Sequence, residues 1–214
     1  MTREEQFNDY DGFVEKFKPK KTTDDCYTPP EIMEVIDSYV EDKFGYDRKD
    51  FIKPFFPGGD YEHEDYTGKI VVDNPPFSIL SKIVDYYIKK DIKFFLFGPT
   101  LTINATIKKK GVSCIIIKNY ILYENSAKVV TCFITNIPEK SYLVFDKDLS
   151  EKIKALYHSK KKDCFIRKIP DFVNAIIIRT DEITEPIYLD DYEYISKYDG
   201  KGIYGGGYIK KGSK

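Results

Sequence analysis

The first clear pattern in the chain is a segment with apolar residues three or four positions apart. Between Pro29 and Gly45 the residues Ile32, Ile36 and Val40 follow this spacing, which places them on one face of a helix. Prolines at the start and a glycine at the end are typical helix boundaries. The pattern predicts an amphipathic helix. Residues 1–22 are polar and charged, and they predict a flexible N-terminal arm.

The next part of the chain shows apolar runs without alternation. Runs of strand length cover residues 50–56, 68–74 and 93–99, and an amphipathic helical pattern covers residues 77–91 between the last two. Strands that are apolar on both sides and joined by a helix are typical of a parallel sheet covered on both faces. This part therefore predicts an α/β fold.

Beyond Gly111 the spacing of the apolar runs changes. The runs at residues 112–118, 120–125, 128–137 and 141–146 are joined by short links, which predicts antiparallel pairing. A helix is predicted over residues 148–160 and a strand over residues 174–180. After Thr180 the sequence is rich in Asp, Tyr and Gly and has no clear periodicity.

Two loops are predicted at the carboxyl ends of parallel strands, where open α/β sheets bind ligands. In the first, the glycines of Phe56-Pro57-Gly58-Gly59-Asp60 allow close approach of a ligand to the backbone, although a plain turn also explains them. The second is Asp73-Asn74-Pro75-Pro76-Phe77-Ser78. Its prolines offer fixed carbonyl acceptors without N–H donors, Asn74 adds an amide oxygen, and Phe77 offers an aromatic face. This combination predicts a pocket for the amino group of a nucleobase.

The composition limits the kinds of active site that the chain can form. The 214 residues carry a net charge of -1 and contain four cysteines and two histidines, all widely separated. No zinc site, disulfide framework or histidine-based hydrolase is indicated. No apolar run is long enough to cross a bilayer, so we expect a cytoplasmic protein with no membrane partner. A lysine-rich segment between residues 140 and 168 is compatible with nucleic-acid binding or with an ordinary solvated surface.

Asn74-Pro75-Pro76-Phe77 resembles the Asn-Pro-Pro-Tyr/Phe motif of amino-group methyltransferases that use S-adenosyl-L-methionine. Tyr27-Thr28-Pro29 is similar to an element that precedes the glycine loop in many adenine-N6 methyltransferases and helps to enclose the methionine part of the cofactor. The order of the motifs looks most like that of the EcoRI-type adenine methyltransferases and their phage relatives. The resemblance covers roughly residues 24–137.

The resemblance implies a Rossmann-like methyltransferase sheet with an antiparallel strand pair at its end. Only about a dozen residues separate Gly59 from Asn74, where the family usually has two further strands, so we expect an abbreviated sheet. The predicted organisation is an N-terminal arm (1–22), a methyltransferase-like catalytic domain (23–145) and an α+β C-terminal extension (146–214) that is a candidate for nucleic-acid recognition.

The implied activity is methyl transfer to the N6 amino group of adenine in DNA, with the base flipped out of the duplex, as in a restriction-modification or phage enzyme. The alternatives are an enzyme acting on RNA or on a protein amide, and a non-catalytic binding module with a degenerate methyltransferase fold. The resemblance assigns the target amino group to Asn74 and Pro75, rigid spacing to Pro76 and base stacking to Phe77. The candidate cofactor residues are Tyr27, Thr28, Pro29, Phe56, Pro57, Gly58, Gly59, Asp60 and Asp73, and the candidate nucleic-acid contacts are Lys160, Lys161, Lys162, Arg167 and Lys168.

Overall fold

The structure is a computed structural model that describes residues 27–56, 59–157, 185–198 and 201–211. A seven-stranded mixed sheet in the order β1-β2-β3-β5-β4-β6-β7 forms its centre, and β8 and β9 form a separate hairpin. The strands are β1 (Phe51–Ile52), β2 (Ile70–Asp73), β3 (Lys93–Pro99), β4 (Ser113–Leu122), β5 (Lys128–Thr135), β6 (Tyr142–Phe145), β7 (Ile187–Tyr188), β8 (Tyr192–Tyr198) and β9 (Lys201–Lys210). The helices are α1 (Pro30–Phe44), α2 (Leu80–Lys89), α3 (Ile103–Ile107) and α4 (Lys147–Leu156).

The sheet is compatible with a Rossmann-like fold. Strands β1, β2 and β3 are parallel, as the apolar runs predict. β5 lies antiparallel between β3 and β4, so β4 runs in the same direction as the first three strands. The predicted antiparallel pairing is therefore confirmed for β4 and β5, although this pair lies inside the sheet and not at its end. It is wrong for the run at residues 141–146, because β6 pairs in parallel with β4.

The two runs at residues 112–118 and 120–125, predicted as separate strands, belong largely to the single strand β4. Its register with β5 shifts between Ile116 and Tyr120, and Lys118 has a φ of 51° in the left-handed region. The Asn119 side-chain amide donates to the Ser150 carbonyl oxygen at 2.7 Å. This bond from β4 to α4 supports the irregular segment, so the strand continues instead of ending in a turn.

Alternate residues of the central strands belong to two apolar cores, one on each face of the sheet. On one face, Phe95 and Ile115 pack with α1 and α4; on the other, Leu96 and Ile116 pack with α2 and α3. Each fully buried Ile or Leu contributes roughly 1.5–3 kcal/mol relative to an exposed one. Burial on both sides explains why the strands read as unbroken apolar runs.

Helix α1 ends as predicted at Gly45, whose φ of 74° is left-handed and whose N–H donates to the Glu41 carbonyl oxygen at 2.9 Å. It is joined to α4 by Asp146, whose carboxylate accepts from the Tyr39 hydroxyl at 2.8 Å and from Lys43 at 2.9 Å. The same carboxylate caps α4 by accepting from the Leu149 N–H. One side chain thus fixes the relative position of two helices.

The segment between β1 and β2 contains no helix or strand in its described residues 53–56 and 59–69. It is held against α2 by aromatic contacts: the Tyr61 ring lies edge-on to Tyr86 and Tyr87, and the Tyr66 hydroxyl donates to the Tyr61 carbonyl oxygen at 2.6 Å. The predicted shortening between the glycine loop and Asn74 is therefore accompanied by a packed loop.

Two elements beyond residue 145, α4 and β7, belong to the body of the main sheet. α4 packs against it, and β7 pairs with β6 through Tyr142 opposite Tyr188. The Gly-rich tail, whose sequence has no clear periodicity, forms β9 and pairs with β8, and Tyr208 of β9 is 4% exposed within the core on the α2 and α3 side. The predicted arm at residues 1–22 and the predicted strand at residues 174–180 lie outside the described residues. None of the described helices is long and apolar enough to cross a membrane.

Candidate functional site

The carboxyl ends of five parallel strands lie at one edge of the sheet. They lead into residues 53–56 and 59–60 after β1, 74–79 after β2, 100–102 after β3, 123–127 after β4 and Asp146 after β6. Ligands of open α/β sheets bind at this edge, because the loops there converge and are free of the constraints of sheet packing. We call it the carboxyl edge.

The Asn74–Phe77 loop leaves β2 at this edge and leads into a short 3-10 turn before α2. Pro75 is buried, while Asn74, Pro76 and Phe77 are partly buried. The Pro76 carbonyl oxygen accepts from the Ile79 N–H at 3.3 Å, which starts the turn. Two prolines in succession and this bond make the loop a rigid support for the side chains on either side of it.

The ring of Phe77 is fixed by a buried aromatic residue. It lies edge-on to Tyr123, with ring centroids 6.3 Å apart and an interplanar angle of 80°. Tyr123 is 1% exposed and belongs to the core on the α1 side. This edge-on contact fixes the orientation of the Phe77 ring in the absence of a ligand.

Asp73, at the end of β2, connects the two predicted loops. One carboxylate oxygen accepts from the Phe55 N–H at 2.9 Å, and the other accepts from the Asn74 N–H at 2.8 Å. The side chain is 9% exposed. Burial raises the pKa of Asp73, and the two backbone N–H groups and Lys53 oppose that shift. In this structure Asp73 braces the loops, a function that the sequence interpretation did not assign to it.

The Tyr27–Pro29 segment also lies at the carboxyl edge. The Tyr27 carbonyl oxygen accepts from the Glu124 N–H at 3.1 Å, next to Tyr123. Pro29 precedes α1, and its carbonyl oxygen accepts from Ile32 and Met33 in the first turn. The Thr28 hydroxyl oxygen is buried and has no hydrogen-bond partner among the described residues. A buried hydroxyl of this kind favours a polar ligand at the site.

The described part of the glycine loop is tightly turned. The Gly59 N–H donates to the Phe56 carbonyl oxygen at 2.8 Å, and a Cβ at this position would clash with the Pro54 carbonyl oxygen. The Phe56 side chain is 56% exposed. The loop therefore requires glycine for steric reasons at Gly59, while Pro57 and Gly58 lie outside the described residues.

Asp60 is an exposed residue whose carboxylate has local partners. It accepts from the Glu62 N–H at 3.0 Å and lies 2.7 Å from His63 Nδ1. The hydrogen bond from the Glu62 N–H is the main cause that lowers the pKa of Asp60, and the hydrogen bond with His63 is the second. These contacts stabilise the turn after Gly59.

The carboxyl edge contains residues that the sequence interpretation missed. Thr100 follows β3, and its buried hydroxyl has no partner in the described part of the chain; Tyr123 follows β4 and supports Phe77. The signal that points to Thr100 is its position directly after the parallel strand predicted at residues 93–99. Tyr123 lies inside the predicted run 120–125, so the sequence pattern offered no signal for it.

The remaining candidates lie elsewhere. The predicted nucleic-acid contacts Lys160, Lys161, Lys162, Arg167 and Lys168 are outside the described residues. A groove of about 470 Å³ lies beside the starts of β2 and β3, away from the carboxyl edge. A second, of about 220 Å³, lies around Asp146 after β6, several strands from the Asn74–Phe77 loop. Cys114 and Cys132 are fully buried, and burial raises the pKa of the Cys114 thiol, so neither is placed for chemistry.

Comparison of the chain with protein-family models, curated proteins and solved structures gave no match.

Proposed function

We propose that this chain is an S-adenosyl-L-methionine-dependent DNA adenine-N6 methyltransferase. The supporting observation is the convergence of three segments that are distant in sequence: Tyr27–Pro29, residues 53–60 and Asn74–Phe77 all reach the carboxyl edge. The bond from the Phe55 N–H to Asp73 joins the second segment to the third. Tyr27 is connected through the turn after β4, because its carbonyl oxygen accepts from the Glu124 N–H and the neighbouring Tyr123 ring packs against Phe77. A ligand that touches one segment is therefore close to the others.

The proposed acceptors for the adenine amino group are the Asn74 side-chain oxygen and the Pro75 carbonyl oxygen. The Pro76 carbonyl oxygen is engaged by the Ile79 N–H, which leaves it out of this assignment. Both prolines lack an N–H, so no backbone donor at these positions competes with the amino group. Phe77, held by Tyr123, offers a surface on which the base stacks.

The cofactor fits the part of the edge between Tyr27–Pro29 and the glycine loop. The buried Thr28 hydroxyl is a polar group that a ligand can satisfy, and the turn at Gly59 allows close approach to backbone. When bound, S-adenosyl-L-methionine supplies an electrophilic methyl group. The residues of this chain orient the amino nitrogen toward that methyl group and exclude water from it.

Positioning supplies most of the proposed catalysis. The adenine amino nitrogen is a weak nucleophile because its lone pair is delocalised into the ring. Two acceptors that bind its two N–H groups favour a tetrahedral nitrogen with the lone pair directed at the methyl group, and the proton is lost after transfer. This chemistry requires no histidine or cysteine. Flipping the base costs a few kcal/mol, which contacts with the DNA strand must offset.

A second candidate is a non-catalytic module that binds nucleic acid or a protein partner. It is favoured by the engagement of the acids near the proposed cofactor position: both Asp73 oxygens accept backbone N–H groups, and the Asp60 carboxylate binds Glu62 and His63. Neither carboxylate is held ready for a ribose, a role that an acid often fills in α/β nucleotide sites.

Calorimetric titration with S-adenosyl-L-methionine and S-adenosylhomocysteine separates the two candidates. We expect micromolar binding, followed by transfer of tritiated methyl groups to DNA. Competition with RNA and with a glutamine-containing peptide tests the alternative substrates. Absence of cofactor binding, both alone and with DNA present, would contradict the enzymatic proposal and favour the binding module.

We predict that Asn74→Ala lowers methyl transfer at least about a hundredfold while changing cofactor affinity less than about threefold, because Asn74 contacts the base. Asn125→Ala, in the β4–β5 turn, is the control for loss of a polar side chain at this edge and should retain transfer. Equal loss of cofactor binding and transfer in Asn74→Ala would refute the assignment of Asn74 to the base.

A further inference from the structure

Large exposed apolar side chains are concentrated around the carboxyl edge. Tyr27 is 49% exposed, Phe56 56%, Val130 52% and Leu101 69%, which makes Leu101 the most exposed large apolar side chain among the described residues. Isolated exposed apolar residues are common and require no explanation, but a group that surrounds one edge marks a binding surface. Leu101 is the member of this group with the clearest geometry.

The Leu101 backbone is held firmly. It lies in the 3-10 turn Thr100–Thr102, which follows Pro99 of β3, and Pro99 pairs with Thr131 of β5. The Ile103 N–H donates to the Thr100 carbonyl oxygen, and the Ile103 side chain is 4% exposed. The turn is thus anchored on both sides, and the leucine between the anchors projects its side chain into solvent.

The position of this turn relates it to the proposed substrate pocket. β3 is the direct neighbour of β2, and Leu96 of β3 lies opposite Asp73, so Leu101 is five residues further toward the carboxyl edge. The Asn74–Phe77 loop leaves β2 one residue beyond the Asp73–Leu96 pair. Leu101, in the turn that follows the neighbouring strand, therefore lies at the same edge of the sheet as the loop that would hold a flipped base.

The surface next to Leu101 combines apolar, aromatic and basic groups. Val130 is adjacent to Thr131, the partner of Pro99, and it pairs with Tyr120 across β5 and β4. The Lys128 ammonium lies 5.4 Å from the centre of the Tyr120 ring. We call Leu101, Tyr120, Lys128 and Val130 the edge patch. An exposed lysine beside apolar groups suits a nucleic-acid strand, whose phosphates are negative and whose bases are apolar on their faces.

We propose that Leu101 is the wedge that enters the DNA base stack at the position vacated by the flipped adenine, with Lys128 on a neighbouring phosphate. This inference rests on the proposed function. A flipped base leaves a gap in the stack, and an apolar side chain that fills the gap lowers the cost of unstacking. A side chain that fills this gap must keep its position against the stacked bases, and the anchored backbone of the turn Thr100–Thr102 holds it there.

The test begins by identifying the methylated position in DNA treated with the wild-type protein. A duplex with 2-aminopurine in place of that adenine then reports flipping by fluorescence. We expect Leu101→Ala to lower the flipped population and the transfer rate roughly tenfold on a paired duplex, because the stack closes again. On a duplex with an abasic site opposite the target, where pairing is already lost, the variant should approach the wild-type rate.

Two further variants make the result specific to position and shape. Leu101→Met, which keeps a long apolar side chain, should retain most of the activity on the paired duplex. Leu156→Ala removes another exposed leucine, 39% exposed at the end of α4, and should behave as wild type. Equal defects in Leu101→Ala and Leu156→Ala, or a Leu101→Ala defect that the abasic duplex does not relieve, would overturn the wedge assignment.

Failure of the wedge and failure of the proposed function give different results. If the wild type flips and methylates adenine, and Leu101→Ala does so at the same rate on the paired duplex, only the wedge assignment is wrong. If the wild type binds S-adenosyl-L-methionine but methylates no adenine in DNA, the proposed substrate is wrong and the wedge is rejected with it.

Discussion

Replacing Asp73 by Asn is the most informative change to the candidate site. Asn keeps the shape of the side chain but exchanges one acceptor oxygen for an NH2 donor. In the wild type, one oxygen accepts from Phe55 and the other from Asn74. In Asp73→Asn one of these backbone N–H groups must therefore face a donor, which breaks one of the two bonds that join the glycine loop to the Asn74–Phe77 loop.

The expected size of the effect follows from burial. The side chain is 9% exposed, so the unpaired N–H has little access to water. Leaving a buried donor unsatisfied costs about 1–3 kcal/mol. Removing a buried carboxylate opposes this cost, because burial is the main cause of the raised pKa of Asp73. We expect a net loss of about 1 kcal/mol in the free energy of unfolding near neutral pH.

The loss should depend on pH in a defined direction. The pKa of Asp73 in the folded protein lies above its ordinary value of 3.8, so the folded state binds this proton more tightly than the unfolded state does. The resulting contribution to stability is present below the unfolded value and is lost as pH rises through the folded pKa. Asn does not titrate, so the stability difference between wild type and Asp73→Asn should shrink as pH rises.

Urea unfolding of both proteins from about pH 4 to about pH 7 measures this difference. Asp47→Asn is the matched control, because Asp47 also accepts a backbone N–H, that of Lys49 at 3.0 Å, but at an exposed position where Asn is an equally good cap. We expect no measurable change in that control. A stability penalty for Asp73→Asn that grows with pH, or one that equals the Asp47→Asn penalty, would refute the reasoning.

Two further changes test the framework around the site. Burial raises the pKa of Asp146, but its hydrogen bonds from Leu149 and from two side chains outweigh burial and hold the pKa below its ordinary value. The stability that this carboxylate contributes is present above about pH 3.8 and is lost as pH falls through the pKa of the folded state. Asp146→Asn should therefore flatten the acid-unfolding profile, while the control Asp148→Asn should leave it unchanged. A profile that Asp146→Asn does not alter would contradict this reasoning. Gly59→Ala should weaken cofactor binding at least about tenfold because its Cβ meets the Pro54 carbonyl oxygen, whereas unchanged affinity on titration would remove the glycine loop from the site.

Hydrophobic periodicity predicted the elements whose apolar pattern depends only on whether one face or both faces are buried. The α1 pattern reflects a single buried face, and the unbroken apolar runs of β2 and β3 reflect burial on both faces. The pattern was less informative where tertiary contacts decide the structure. β4 continues through the irregular residues near Lys118 because Asn119 bonds to Ser150 on α4, 31 residues away. The Gly-rich tail forms β9 because β8 supplies a partner strand.

For the candidate site, the sequence by itself determined the local chemistry: consecutive prolines fix the backbone after β2, and the glycines before Asp60 permit a tight turn. Only the tertiary structure decided which groups meet. Asp73 contacts Phe55 across 18 positions, and the Tyr27 carbonyl reaches Glu124 across the whole first half of the fold. The physical reason is that parallel strands bring their carboxyl ends to one edge whatever their separation in the chain. Local sequence sets the identity of each loop, and sheet topology sets which loops are neighbours.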